Sequence, residues 1–164
     1  PHSIRRLPDE AKGFNCFAHA FGLIESDAYR AIQDRDAISQ SNVFFAGSKF
    51  SQFVIKNGTL VAVPEECSGP GEIVMYLDDK GGPKHAGKIA SGRFGCWRIQ
   101  SKWGGGLFLE HGLWEVPENY GSQTKFYRAL PGDMAENAFL QFVMTQEGSA
   151  EFIMRSGLGD LFKA

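Results

Sequence analysis

Cysteine is scarce in this chain: its 164 residues include three, Cys16, Cys67 and Cys96. So small and odd a number excludes a disulfide framework. No Cys-x-x-Cys or His-x-x-x-His spacing exists to close a structural zinc site, so no metal and no cofactor is expected. No apolar run approaches the roughly 20 residues that span a bilayer, so no membrane span is expected. Charge of one sign is also missing. Seventeen lysines and arginines stand against 19 aspartates and glutamates, a formal net charge of −2. That leaves no broad basic field and argues against nucleic acid as a partner. No signal-like apolar stretch is present, and the first residue is Pro1. The chain is therefore expected to be a piece of a longer polypeptide.

What is present suits one folded domain, residues 1–164, with a core large enough to need no staples. The pattern reads helix, then sheet, then helix. Residues 1–13 look extended. Phe17, Ala20, Phe21 and Ile24 recur at helical spacing, which predicts a helix over 16–26. A more polar helix follows over 27–38, and Phe50, Phe53 and Val54 in i, i+3, i+4 register predict a third over 49–56. Asn57-Gly58 breaks the pattern as a turn. Strands are expected over 59–63, 72–77, 84–90, 96–102, 107–110 and 126–129, with Gly92 and Gly95 bracketing a hairpin. One or two helices over 133–155 close the chain.

Several features carry plain readings. Phe44, Phe45, Phe50 and Phe53 are expected in the core. Of Trp97, Trp103 and Trp114, at least one is expected to be core, although together they would suit a sugar- or peptide-binding cleft. Gly104-Gly105-Gly106 lacks the Lys-Ser/Thr of a phosphate loop and reads as a hinge.

One segment points to chemistry. Asn15-Cys16-Phe17-Ala18 places a cysteine directly after an Asn at a helix start. Asn is a preferred N-cap, because its side-chain oxygen accepts a free N–H of the first turn. A thiol there sits at the positive end of the helix dipole and is expected to ionise more readily than a free one. The alternative is a small buried hydrophobe, the ordinary fate of a free cysteine. A nucleophilic thiol needs a base within hydrogen-bond reach. His2 is terminal. His19 lies one turn along the same helix, alongside the thiol rather than across from it, and reads as a supporting residue. His85 opens a strand after a Gly-Gly-Pro turn and is the better-placed base. His111, at the end of another strand, reads as ligand-side or structural.

These residues resemble the NlpC-like cell-wall cysteine peptidases of the papain-like superfamily. The Asn15-Cys16-Phe17-Ala18 helix start is similar to that family's Asp-Cys-Ser-Gly. Gly69-Pro70-Gly71-Glu72-Ile73-Val74-Met75-Tyr76 is similar to its Pro-Gly-Asp-Leu-Val-Phe-Phe strand. Lys84-His85-Ala86-Gly87-Lys88-Ile89 is similar to its His-Val-Gly-Ile-Tyr strand, which bears the catalytic histidine. The segments occur in the family's order over 15–102. Further on, Gln100-Ser101-Lys102-Trp103-Gly104, His111 and Tyr120-Gly121 look like a Ser-Lys-x-Gly…His…Tyr-Gly pattern of uncharacterised bacterial branches of that superfamily.

The resemblance implies an α+β papain-like fold, in which a helix carrying Cys16 packs on an antiparallel sheet carrying His85. It implies a thiol hydrolase acting on amide bonds through a thioester, with Cys16 as nucleophile and His85 as base, then acid. The backbone N–H of Cys16 would form part of an oxyanion hole. The chain departs from the family where Asn15 replaces Asp, where Ala18 replaces Gly, and where no third histidine follows His85. Ser101 is the expected third residue and Gln100 its alternative, since either side chain can accept a hydrogen bond from the imidazole. The implied substrates are peptides, proteins or peptidoglycan. The implied setting is a bacterial effector or toxin domain, secreted or delivered into a target cell, with a cognate immunity protein as partner. Two alternatives stay open: a deamidase or transglutaminase using the same Cys–His chemistry, and a catalytically inert papain-like binding module.

Overall fold

The computed structural model describes residues 3–8, 14–39, 43–104 and 106–163; His2, Gly105 and most of the 1–13 start lie outside them. These residues form an α+β fold with five α-helices and a seven-stranded sheet. The helices are α1 (Cys16–Ala20), α2 (Asp27–Ser39), α3 (Ser48–Lys56), α4 (Gly132–Thr145) and α5 (Ser149–Ser156). The strands are β1 (Arg5–Arg6), β2 (Ala62–Val63), β3 (Ile73–Leu77), β4 (Pro83–Ser91), β5 (Arg98–Trp103), β6 (Leu107–Gly112) and β7 (Gln123–Tyr127). Their spatial order is β1-β6-β5-β4-β3-β7-β2, and all neighbours are antiparallel. No helix among the described residues is long and apolar enough to cross a membrane.

Strands β3 to β6 follow one another as a meander. The chain then crosses from β6 to the far side of β3 through residues 113–122. That crossing covers the sheet face opposite the helices. Alternation along the strands separates two cores. Ile73, Met75, Leu77, Ala86 and Tyr127 belong to the core shared with the helices. Val74, Tyr76, Ile89, Ile99 and Phe126 belong to a second, smaller core with Trp97, against which Leu113 and Val116 of the crossing pack.

The helix side is held by aromatic rings at helical spacing. Phe50 is fully buried. Its ring meets Phe21 at 5.5 Å, Phe139 at 5.5 Å and Phe142 at 5.3 Å between centroids, all edge to face. Each buried ring contributes about 2–3 kcal/mol from area alone, and the edge-to-face geometry adds to it. Phe44 is core as expected, whereas Phe45 is 41% exposed.

The expected helix over 16–26 is shorter than its periodicity implied. Gly22 adopts φ 74°, so the α-helix stops at Ala20 and the chain continues as a single 3₁₀ turn, Leu23–Glu25. Strand β1 carried no sequence signal, because two exposed arginines gain strand geometry only by pairing with Glu110 and Leu109 of β6.

Candidate functional site

Helix α1 is positioned by its cap. Asn15 takes extended backbone angles, and its side-chain oxygen accepts the Ala18 N–H at 2.8 Å. Its amide nitrogen donates to the Ala46 carbonyl at 2.7 Å. The Ala46 N–H in turn donates to the Tyr29 hydroxyl at 3.2 Å, and the Phe44 N–H donates to the buried Asp36 carboxylate at 3.2 Å. The loop before α3 is thereby tied to the helix start that carries Cys16. Ala18 and Ala20 are fully buried, as is Ala86 of β4, and these small side chains let α1 lie close on the sheet.

Cys16 is half-buried, and its sulfur is close enough to the Ala86, Phe17 and Cys16 N–H groups for them to favour the thiolate. Burial opposes them and wins, pushing the thiol up to about 11. The expectation of an acidified thiol is corrected here. With 5 residues, α1 offers little macrodipole, and desolvation outweighs it.

His85 occupies the residue before Ala86. It pairs with Tyr76 across β3 and β4, beside a β-bulge at Tyr76/Leu77, with the two rings 5.4 Å apart. Since Ala86 faces the helices, alternation sets His85 on the other face of β4, beneath the crossing. There Tyr120 stacks on it at 4.1 Å and 23°. Tyr120 is fixed by its neighbour: Gly121 has φ 126°, and a Cβ there would lie 2.4 Å from the Leu77 carbonyl oxygen, so only glycine fits. His85 is 1% exposed, and its Nε2 has no hydrogen-bond partner among the described residues. Leaving such an atom unpaired costs about 1–3 kcal/mol. Burial first, then His111 and His19, lower its pKa to about 3, so the imidazole is neutral at neutral pH. Tyr120 links the two residues: burial raises it first, and neighbouring Cys16 raises it further.

Ser101 and Gln100 are not brought onto His85. Ser101 is fully buried, and its hydroxyl meets His111 Nε2 at 2.7 Å. The other nitrogen, His111 Nδ1, lies 2.7 Å from the Gly112 carbonyl and must donate to it. In the neutral imidazole Nε2 is then the acceptor, and Ser101 donates its only proton there. The Trp103 indole N–H donates to the same hydroxyl oxygen at 3.1 Å. Gln100 is half-buried and pairs with Lys88 and Glu110, on the helix-facing side of the sheet. His19 meets Phe108 edge-on at 4.8 Å, a packing contact consistent with a supporting role.

Sequence reasoning gave no catalytic role to Tyr76 or Tyr120, and it read Trp103 only as one of three tryptophans that would suit a sugar- or peptide-binding cleft. Tyr120 was visible only as part of a Tyr-Gly pair. Its Gly121 was the available signal, since a glycine forced by positive φ fixes what precedes it. Among the described residues no three His, Cys, Asp or Glu side chains gather as a metal site.

Comparison with curated proteins and with solved structures yields no match. Residues 6–128, well over half of the 164 residues, match one protein family. The matched span takes in Cys16, His85, Ser101, His111 and Tyr120 and ends before α4. The chain belongs to the family described as a domain of unknown function (DUF7689).

Proposed function

We propose that the protein is a papain-like thiol hydrolase in which Cys16 and His85 cleave amide bonds of a peptide, protein or peptidoglycan substrate. The observation that carries this reading is the seat of Cys16. The thiol lies at the N-terminus of an Asn-capped helix, against the backbone of the residue that follows His85. The order of elements supports it as well: a cysteine helix, then an antiparallel meander whose second strand carries the histidine.

In the reaction, His85 Nε2 takes the Cys16 thiol proton as sulfur attacks the carbonyl carbon. The N–H groups of Cys16 and Phe17 receive the oxyanion. The C–N bond then breaks, His85 returns the proton to the leaving amine, and water hydrolyses the thioester. Thiol and imidazole are both neutral at rest, so proton transfer accompanies attack rather than preceding it. Tyr120 covers His85 in the resting molecule, so productive pairing requires the crossing to shift and the strand end at the bulge to open.

The test is hydrolysis of purified peptidoglycan and of a peptide library, read by mass spectrometry, for wild type, Cys16→Ala and His85→Ala. Both variants are expected to fold and to release no product. Product from folded Cys16→Ala overturns the reading. One observation favours a second reading: resting burial lifts the thiol to about 11 and lowers His85 to about 3, as in an inert binding module. Release of ammonia or of amine-exchanged product in the same assay identifies the deamidase or transglutaminase form of this chemistry.

A further inference from the structure

The β4–β5 hairpin holds a concave feature, at the opposite end of β5 from Trp103 and so roughly 17 Å along the strand from the His85 end. A cavity of about 600 Å³ opens there, lined by Glu65, Phe94, Trp97, Arg98, Leu113 and Trp114. Its walls are unusual for the surface of a folded domain. Phe94 is 58% exposed and Trp114 53% exposed, two large rings left facing water across one slot. Trp97, 5% exposed, lines the same slot.

The chemistry of the lining narrows the ligand. Among the described residues that line it, Arg98 is the one cation, and it is committed: it lies 3.6 Å from Glu110 and 3.7 Å from Glu115, and it donates to the Ser3 hydroxyl at 2.8 Å. A phosphate-bearing ligand would find no free positive charge. An extended peptide would find no free strand edge, since β5 is paired on both sides. What remains is aromatic faces for a C–H surface and a carboxylate at Glu65 to accept hydroxyl protons. We propose that this cavity binds a pyranose saccharide, stacked on Trp114 and Phe94, with a hydroxyl on Glu65. The site is independent of Cys16 and His85.

Titration of the full chain with cellotetraose and with N-acetylated chitotetraose, followed by indole N–H resonances in ¹H–¹⁵N spectra, tests the proposal. Saturable shifts of the Trp97 and Trp114 signals are expected with at least one probe, at a dissociation constant below about 10 mM. Trp114→Ala and Phe94→Ala each weaken binding by about tenfold or more. Both side chains are largely exposed, so the two variants are expected to fold, and either alone suffices for the comparison. Absence of saturable shifts up to about 10 mM overturns the proposal. So do shifts that persist at full strength in the folded variants, and so does binding of N-acetyltryptophanamide without binding of either saccharide.

Discussion

Two histidines are buried in the same sheet, and the molecule treats them in opposite ways. Around His111 every polar atom is answered: Ser101 donates to one ring nitrogen, Gly112 accepts from the other, and Trp103 completes the Ser101 hydroxyl. Around His85 the neighbours are aromatic faces, Tyr76 at 5.4 Å and Tyr120 at 4.1 Å, and Nε2 is left unanswered. Both rings are held neutral by burial, yet only His85 has a free acceptor for a proton. A satisfied histidine is a strut. An unsatisfied one is a candidate base whose resting cost is repaid only when it takes a proton.

The largest test of that contrast is activity. Cys16→Ala and His85→Ala are expected to lower amide hydrolysis by about 10³-fold or more with the fold retained, whereas His111→Gln keeps the rate per folded molecule. Loss of activity in folded His111→Gln would collapse the distinction.

Next comes the thiol itself. A group pushed up to about 11 from 9.0 is thiolate at about one part in 10⁴ at pH 7, against about one in 10² for an ordinary thiol. Iodoacetamide is therefore expected to reach exposed Cys67 and Cys96 first. Cys16 should react about a hundredfold slower than a free thiol at pH 7, gaining roughly tenfold per pH unit up to pH 10. Tyr120→Ala removes part of the cover and should raise the Cys16 rate, read by peptide mass spectrometry. An unchanged rate in that variant would place the burial elsewhere than under Tyr120.

Stability separates the two histidines in the other direction. His111→Ala strands the Ser101 hydroxyl and the Gly112 carbonyl and should cost about 2–4 kcal/mol in urea unfolding. His85→Ala removes ring packing but also an unpaired nitrogen, and should cost less than half as much. Equal costs would mean that His85 is as structural as His111.

How far the sequence could lead follows the same division between local and distant causes. The helices over 27–38 and 49–56 and the strands from β3 to β6 were legible within a few residues, because period and turn glycines are local signals. The Asn15 cap was legible for the same reason. Helix α1 was read too long, because the periodicity of Phe21 and Ile24 continued through Gly22, whose φ of 74° ends the α-helix. Whether Ser101 serves His85 or His111 depends on the β5–β6 register, Ile99 opposite His111 and Ser101 opposite Leu109, which no spacing in the chain encodes. The state of Cys16 was misjudged for a related reason: capping is local and was visible, while desolvation comes from β4 and the crossing, both distant in sequence. Of the three tryptophans, Trp97 proved core and Trp114 exposed, a division set by which faces the crossing covers.

The smallest expected effect is the pH dependence of folding, and it ranks the two histidines by burial. His85 stays neutral in the fold down to about pH 3, while its unfolded counterpart takes a proton near 6.5. Above pH 6.5 neither state is protonated, and the residue contributes no pH dependence. Below it, the unfolded chain binds a proton the fold refuses, so stability falls as pH drops from 6.5 toward 3. One such group can remove about 1.4 kcal/mol per pH unit, or about 2 kcal/mol between pH 6.5 and 5, a window still above most carboxylate titration. His111 shifts in the same direction, but the Gly112 carbonyl and the Glu115 and Glu110 carboxylates oppose its burial. His85→Gln should therefore flatten the pH profile of the unfolding midpoint more than His111→Gln does, measured by urea titration at pH 7, 6 and 5. A larger flattening from His111→Gln would reverse the ranking and make His111 the more deeply desolvated ring.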